Sequence, residues 1–140
     1  MAGIGTKAEA TAVPTNVSTE TAILTVPFST GNASNVSLAA PPNVGAKTKN
    51  RINGVLNLTP GTATTACVVK CRQGAGTTTG TQVGQTQTTQ VIAADPQVIG
   101  FEFSDPAPNF GQAYTITVTQ TNGTGAGTVT DIVAYVTDYT

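Results

Sequence analysis

Histidine and tryptophan are absent from this chain of 140 residues, and charged side chains make up only 9% of it. Each shortage removes a class of function. Without histidine the usual general base near neutral pH is missing. A Ser–His–Asp triad, a Cys–His pair and a His-bearing zinc site are therefore excluded. The acidic residues are Glu9, Glu20, Asp95, Glu102, Asp105, Asp131 and Asp138. Two of them could in principle act as a glycosidase pair, but most fall singly in loops or at outward strand positions. Asp95, Glu102 and Asp105 form the one local group, and their spacing fits no calcium loop. The expectation is a protein without catalysis, cofactor or resident metal.

The charge balance is equally restrictive. Six basic and seven acidic residues leave a net charge of −1, which exerts little pull on phosphate and argues against nucleic-acid binding. The one basic cluster, Lys47, Lys49 and Arg51, reads as a solvated loop leading into a strand, with a phosphate or capsid contact as the lesser alternative. No apolar run approaches the length of a membrane span. No charged-then-apolar leader opens the chain, so synthesis in the cytoplasm is expected. The Asn-x-Ser/Thr sequons at Asn16, Asn32, Asn35, Asn57 and Asn122 carry no weight without export.

Cysteine is scarce too, and the two present are close in sequence. Cys67 and Cys71 stand at i and i+4 of one strand pattern, which places their Cα atoms roughly 13 Å apart at about 3.3 Å per residue. A disulfide needs about 4.4 to 6.8 Å. They are expected to be two small thiols buried in a core, as suits a reducing compartment.

What the chain does have is threonine, valine and isoleucine, whose β-branched side chains favour a pleated sheet. A hydrophobic fraction of 39% with low net charge is not the composition of a disordered chain. Sheets that show threonine to solvent instead of lysine and glutamate have poorly defended edges. Such a surface suits cover by other chains.

The clearest stretch is Asn50 to Arg72, two strand patterns joined by the turn Thr59-Pro60-Gly61-Thr62. Ile52, Gly54, Leu56 and Leu58 share one face of the first limb, and Asn53, Val55 and Asn57 take the other. Cys67, Val69 and Cys71 share a face of the second, with Lys70 and Arg72 opposite. Earlier, Met1 to Thr19 reads as an extended arm containing a short edge strand around Ala10 to Val13. That arm is either a loose terminus or a grip on a neighbour. Glu20 to Phe28 alternates Ala22, Leu24, Val26 and Phe28 against Thr21, Ile23 and Thr25. Asn35 to Ala40 predicts a further strand.

Beyond the central pair, Thr81 to Ile92 predicts a polar strand with Gly84 as a bulge. Gln97 to Phe103 turns Ile99, Phe101 and Phe103 inward. Gln112 to Thr121 alternates Tyr114, Ile116 and Val118 with Thr115, Thr117 and Thr119. Thr128 to Tyr139 is apolar on both faces: Val129, Val133 and Tyr135 on one, Ile132, Ala134 and Val136 on the other. A two-faced strand is central, or is covered by a neighbouring subunit. The Gly-rich stretches precede strands, so they are turns and not phosphate cradles.

These patterns predict an all-β chain: an arm over 1–19, then a single domain over 20–140. Eight or nine strands at this spacing, with no substantial helix, point to an antiparallel two-sheet sandwich of jelly-roll type.

With the strands placed, INGVLNLTPGTATTACVVKCRQGAGTTTGTQVGQTQT and YTITVTQTNGTGAGTVTDIVAYV resemble the small jelly-roll proteins of virions. The similarity spans about Asn50 to Val136. It is greatest to proteins that cement or decorate tailed-phage heads and to phage spike domains. The resemblance implies a structural role without catalysis, homotrimeric clustering, and docking on a shell built of major capsid protein. It supplies no catalytic residue. The expected oligomer interface is the second apolar face of the last strand, Val133 and Tyr135, with help from the arm. The alternative is a spike tip or a receptor- or carbohydrate-binding module, for which Phe110 is the candidate contact loop.

Overall fold

The computed structural model describes residues 5–15, 20–26, 49–108, 113–121 and 127–139. Eight strands occupy them: β1 (Gly5–Thr15), β2 (Thr21–Val26), β3 (Lys49–Thr59), β4 (Ala66–Gln73), β5 (Gln82–Gln90), β6 (Gln97–Asp105), β7 (Tyr114–Thr121) and β8 (Gly127–Tyr139). No helix occurs among the described residues. The expected strand Asn35–Ala40 and the loop carrying Phe110 lie outside them.

Two four-stranded sheets form, ordered β1-β8-β3-β6 (sheet A) and β2-β7-β4-β5 (sheet B). The order has a simple origin. If the chain is folded back on itself between β4 and β5, each strand of the first half pairs antiparallel with its mirror in the second. The mirror pairs are β1 with β8, β2 with β7, β3 with β6 and β4 with β5. Rolling that long ribbon brings β3 against β8 and β4 against β7 as well. This is the jelly roll, with two antiparallel sheets facing each other across one core.

The stretches 50–72 and 112–136 look like hairpins, yet β3 and β4 lie in opposite sheets, as do β7 and β8. The Pro-Gly turn between β3 and β4 is a corner between sheets. A Pro-Gly turn fixes a change of direction but not a hydrogen-bonding partner. Each limb has one apolar face, and crossing the sandwich lets those faces meet without sharing a ladder.

The inner faces supply the core. Ile52, Leu56 and Leu58 of β3, Ile132 and Val136 of β8, and Phe101 and Phe103 of β6 face Cys67, Val69, Ile116 and Val118 of sheet B, all buried. Gly54 interrupts the β3 row for a steric reason. A Cβ there would stand 2.1 Å from the Val133 carbonyl oxygen and 2.7 Å from the Phe101 ring. Among the described side chains of β1, Ala8 and Ala10 pack against the core, both partly buried. β1 is nevertheless paired with β8 from Gly5 to Thr15, well beyond the short edge strand expected around Ala10 to Val13.

Both ends of the sandwich are closed by buried polar groups. At one end the Asn50 amide donates to the Tyr114 hydroxyl at 2.9 Å, which donates to Asp105 Oδ2 at 2.8 Å. Gln73 and the Ala107 amide complete the carboxylate's partners. Burial, ahead of the neighbouring groups, holds the Tyr114 phenol far above its ordinary range. At the other end Gln120 Oε1 accepts from the Gly61 amide at 2.7 Å and from the Thr64 hydroxyl at 3.2 Å. That contact ties the Pro-Gly corner to β7. Buried polar atoms are tolerated because each has a partner.

Candidate association face

Several of the residues that could have carried chemistry are held in structural contacts. Glu20 receives a two-pronged contact from Arg72, at 2.6 Å from Nε and 2.8 Å from Nη2, and a 2.6 Å hydrogen bond from the Thr117 hydroxyl. Lys70 stands 4.0 Å away. The Arg72 hydrogen bonds, ahead of the Thr117 one, hold the Glu20 carboxyl below its ordinary range against the opposing effect of burial. The group Asp95, Glu102 and Asp105 is dispersed. Asp105 points inward and is buried, Glu102 points outward, and Asp95 sits in the turn before β6. Cys67 and Cys71 are free thiols buried in the core, and burial pushes each up to about 12. A protonated, enclosed thiol is a poor nucleophile and a poor partner for disulfide exchange.

The outer faces of the two sheets differ. Thr115 and Thr117 point outward from β7 and yet are fully buried, because the chain itself lies over them. The Thr115 hydroxyl donates to the Gly74 carbonyl at 2.6 Å, and the Gly76 amide donates to Thr25 at 3.1 Å. Arg72 Nη1 holds the Gly80 carbonyl at 2.9 Å. The segment 74–80, together with Glu20, thus covers this part of sheet B.

Among the described residues, sheet A carries most of the large exposed hydrophobics. Its register sets outward residues into rows across the four strands. Lys7, Tyr135, Asn53 and Glu102 form one row. Glu9, Val133, Val55 and Gly100 form the next. Asp131, Asn57 and Val98 follow, while Thr137, Arg51 and Ser104 lie on the opposite side of the Tyr135 row. Tyr135 is 43% exposed, Val55 37% and Val98 72%; besides these, only Ile92 is a large exposed hydrophobic among the described residues. Val133, half-buried, lies between Glu9 and Val55. A cluster of exposed apolar groups on an otherwise polar surface is the usual mark of a contact site.

Val133 and Tyr135, singled out in the sequence, therefore do share the outer face of β8, which is central in its sheet. Val129 does not join them. The β3–β8 register shifts between Asn57 and Leu58, where two steps along β8 oppose one along β3, and Thr130 is the extra residue. That bulge carries Val129 over to the inner face, where it is fully buried. Val55 and Val98 were not apparent as part of the cluster. In sequence each is one outward apolar residue, and only the register places Val55 opposite Val133 and Val98 opposite Asn57.

No known family model matches the chain, and no curated protein matches it in sequence. Among solved structures, the fold is similar to a chain from Bacillus endospore appendages, described as a novel family of disulfide-linked pili. The identity is 17% and the TM-score 0.40, over 99% of this chain and 89% of that one. It is also similar to a chain from infectious bursal disease virus, Gx strain, with 12% identity and a TM-score of 0.40. That match covers 96% of this chain but 29% of the viral one, so this chain spans under a third of its length.

Proposed function

We propose that this is a structural protein of a virion, a capsid cement or decoration protein that works by association and not by catalysis. One observation carries the reading: the jelly roll uses its buried polar groups to close both ends, and the outer face of sheet A sets exposed Tyr135, Val55 and Val98, with half-buried Val133, among polar and charged side chains. The fold is one that viral shells use widely. A surface poor in charge suits a protein that is covered in its working state. The major capsid protein is the proposed partner, and the chain is proposed to be a homo-oligomer, with no nucleic acid or membrane involved.

The test is to band particles from the source lysate on a density gradient and quantify this chain's peptides in each fraction. Co-banding with nuclease-resistant genome at many copies per particle is the expected result. Recovery only as free protein at the top of the gradient would overturn the assignment.

A further inference from the structure

We propose that the outer face of sheet A binds a second copy of the same face, through a two-fold axis lying between the sheets and perpendicular to the strands. The inference rests on reading this face as an association surface, but not on the virion assignment.

The order of side chains along the strands carries it. Such an axis keeps each strand over its own counterpart and reverses the rows. If it passes between the Tyr135 and Val133 rows, Tyr135 of one copy lies over Val133 of the other. Asn53 then lies over Val55, and Lys7 lies over Glu9. Glu102 lies over Gly100, where a side chain would find nothing within 4 Å, so the longer glutamate has room. Arg51 lies across the interface from Asn57 and is offset sideways by one strand spacing, about 4.8 Å, from Asp131 of the other copy.

The charged groups stand ready for this exchange. Lys7 and Glu9 form an ion pair within one chain, and Arg51 pairs with Glu102 at 3.0 Å. All four side chains are at least half exposed, so pairing across the axis would extend these pairs into networks without removing a charge from a fixed partner. An axis parallel to the strands would give a different outcome. Passing between β8 and β3, it would set Lys7 over Glu102, but it would also set each Arg51 beside the other Arg51 and each Asp131 beside the other Asp131. Like charges opposed in that way are unfavourable. The charge order therefore selects the row-reversing arrangement, and a two-fold contact in place of the three-fold clustering that the family resemblance implies.

The size of the face sets the expected strength. Four strands at about 4.8 Å and four rows at about 6.8 Å make a planar footprint of roughly 500 Å². A standard interface takes about 800 Å² per partner. The contact is therefore at the weak end, and dissociation on dilution is expected.

The test is analytical ultracentrifugation of the full chain over a range of concentrations. The expected result is a reversible shift toward twice the 14.1 kDa chain mass, weakened by high salt. Two single variants sharpen it. Arg51→Glu and Asp131→Lys each place like charges across the axis, and each is expected to weaken self-association about tenfold or more. Mixing the two restores opposite charges at both positions, so the mixture is expected to dimerise where neither variant does alone. Thermal melts confirm that each variant is folded, and the wild-type mass stands as a test if one is not. A monomer at all concentrations, a mass of three chains, or no rescue on mixing two folded variants would overturn the proposal. The gradient result could fail while this one holds, and the reverse.

Discussion

The Tyr114 hydroxyl donates to Asp105 Oδ2 at 2.8 Å, joining β7 of one sheet to β6 of the other. Both side chains are buried, and Asn50 donates to the same hydroxyl. Tyr114→Phe removes the bridge while leaving the ring's packing. The enclosed carboxylate then loses a donor and the Asn50 amide loses this acceptor. The expected cost is about 1–3 kcal/mol, read as a lower urea midpoint with an unchanged m-value.

Glu20 and Arg72 make stability depend on pH. The folded carboxyl titrates below the ordinary glutamate value of 4.5. Its contribution is therefore fully present above the unfolded value and is lost as pH falls through the folded one. Wild type is expected to lose stability in that acid window more steeply than Glu20→Gln, whose site cannot titrate. At pH 7 the variant is expected to be the less stable of the two. Urea titrations at several pH values compare the two slopes.

Gly54 couples the core to the outer face of sheet A. A methyl group at this position would collide with the Val133 carbonyl and the Phe101 ring, so β3 and β8 cannot keep their spacing. Gly54→Ala is expected to cost about 1–3 kcal/mol, the usual range for overpacking, and to displace the backbone at Val133. Chemical denaturation gives the first effect, and amide shifts along β8 give the second.

Cys67 and Cys71 are expected to be silent to thiol reagents in the native state, since burial pushes both up to about 12. Both are expected to react once urea unfolds the chain. An oligomer formed by this chain is expected to come apart in denaturant without reductant. Ellman titration and non-reducing gels check the two outcomes.

How far the sequence reached depended on whether a feature was local. The alternation of Tyr114, Ile116 and Val118 with threonine needed only period two, and β7 follows it. Gly84, read as a bulge, sits at φ +68° beside the β4–β5 register shift. Ile23 and Leu24 are consecutive and both buried, because the β2–β7 register slips between Ala22 and Leu24. Strict alternation assigns those two residues to opposite faces, just as it misplaces Val129. Partner choice lay further out of reach: β3 meets β6 and β8, both distant in sequence. The proposed association face was half visible for the same reason. Val133 and Tyr135 stand out within one strand, whereas Val55 and Val98 gain meaning only beside them.

On the proposed function, the outer face of sheet A is covered when the protein is at work. Tyr135→Cys adds one accessible thiol to a chain whose own two are enclosed. Maleimide labelling of this variant, compared between source particles and dilute purified chain, measures that cover directly. Rapid labelling in the dilute chain and strong protection in the particles is the predicted result. Equal labelling in both would show the face open in the assembled state and contradict the account.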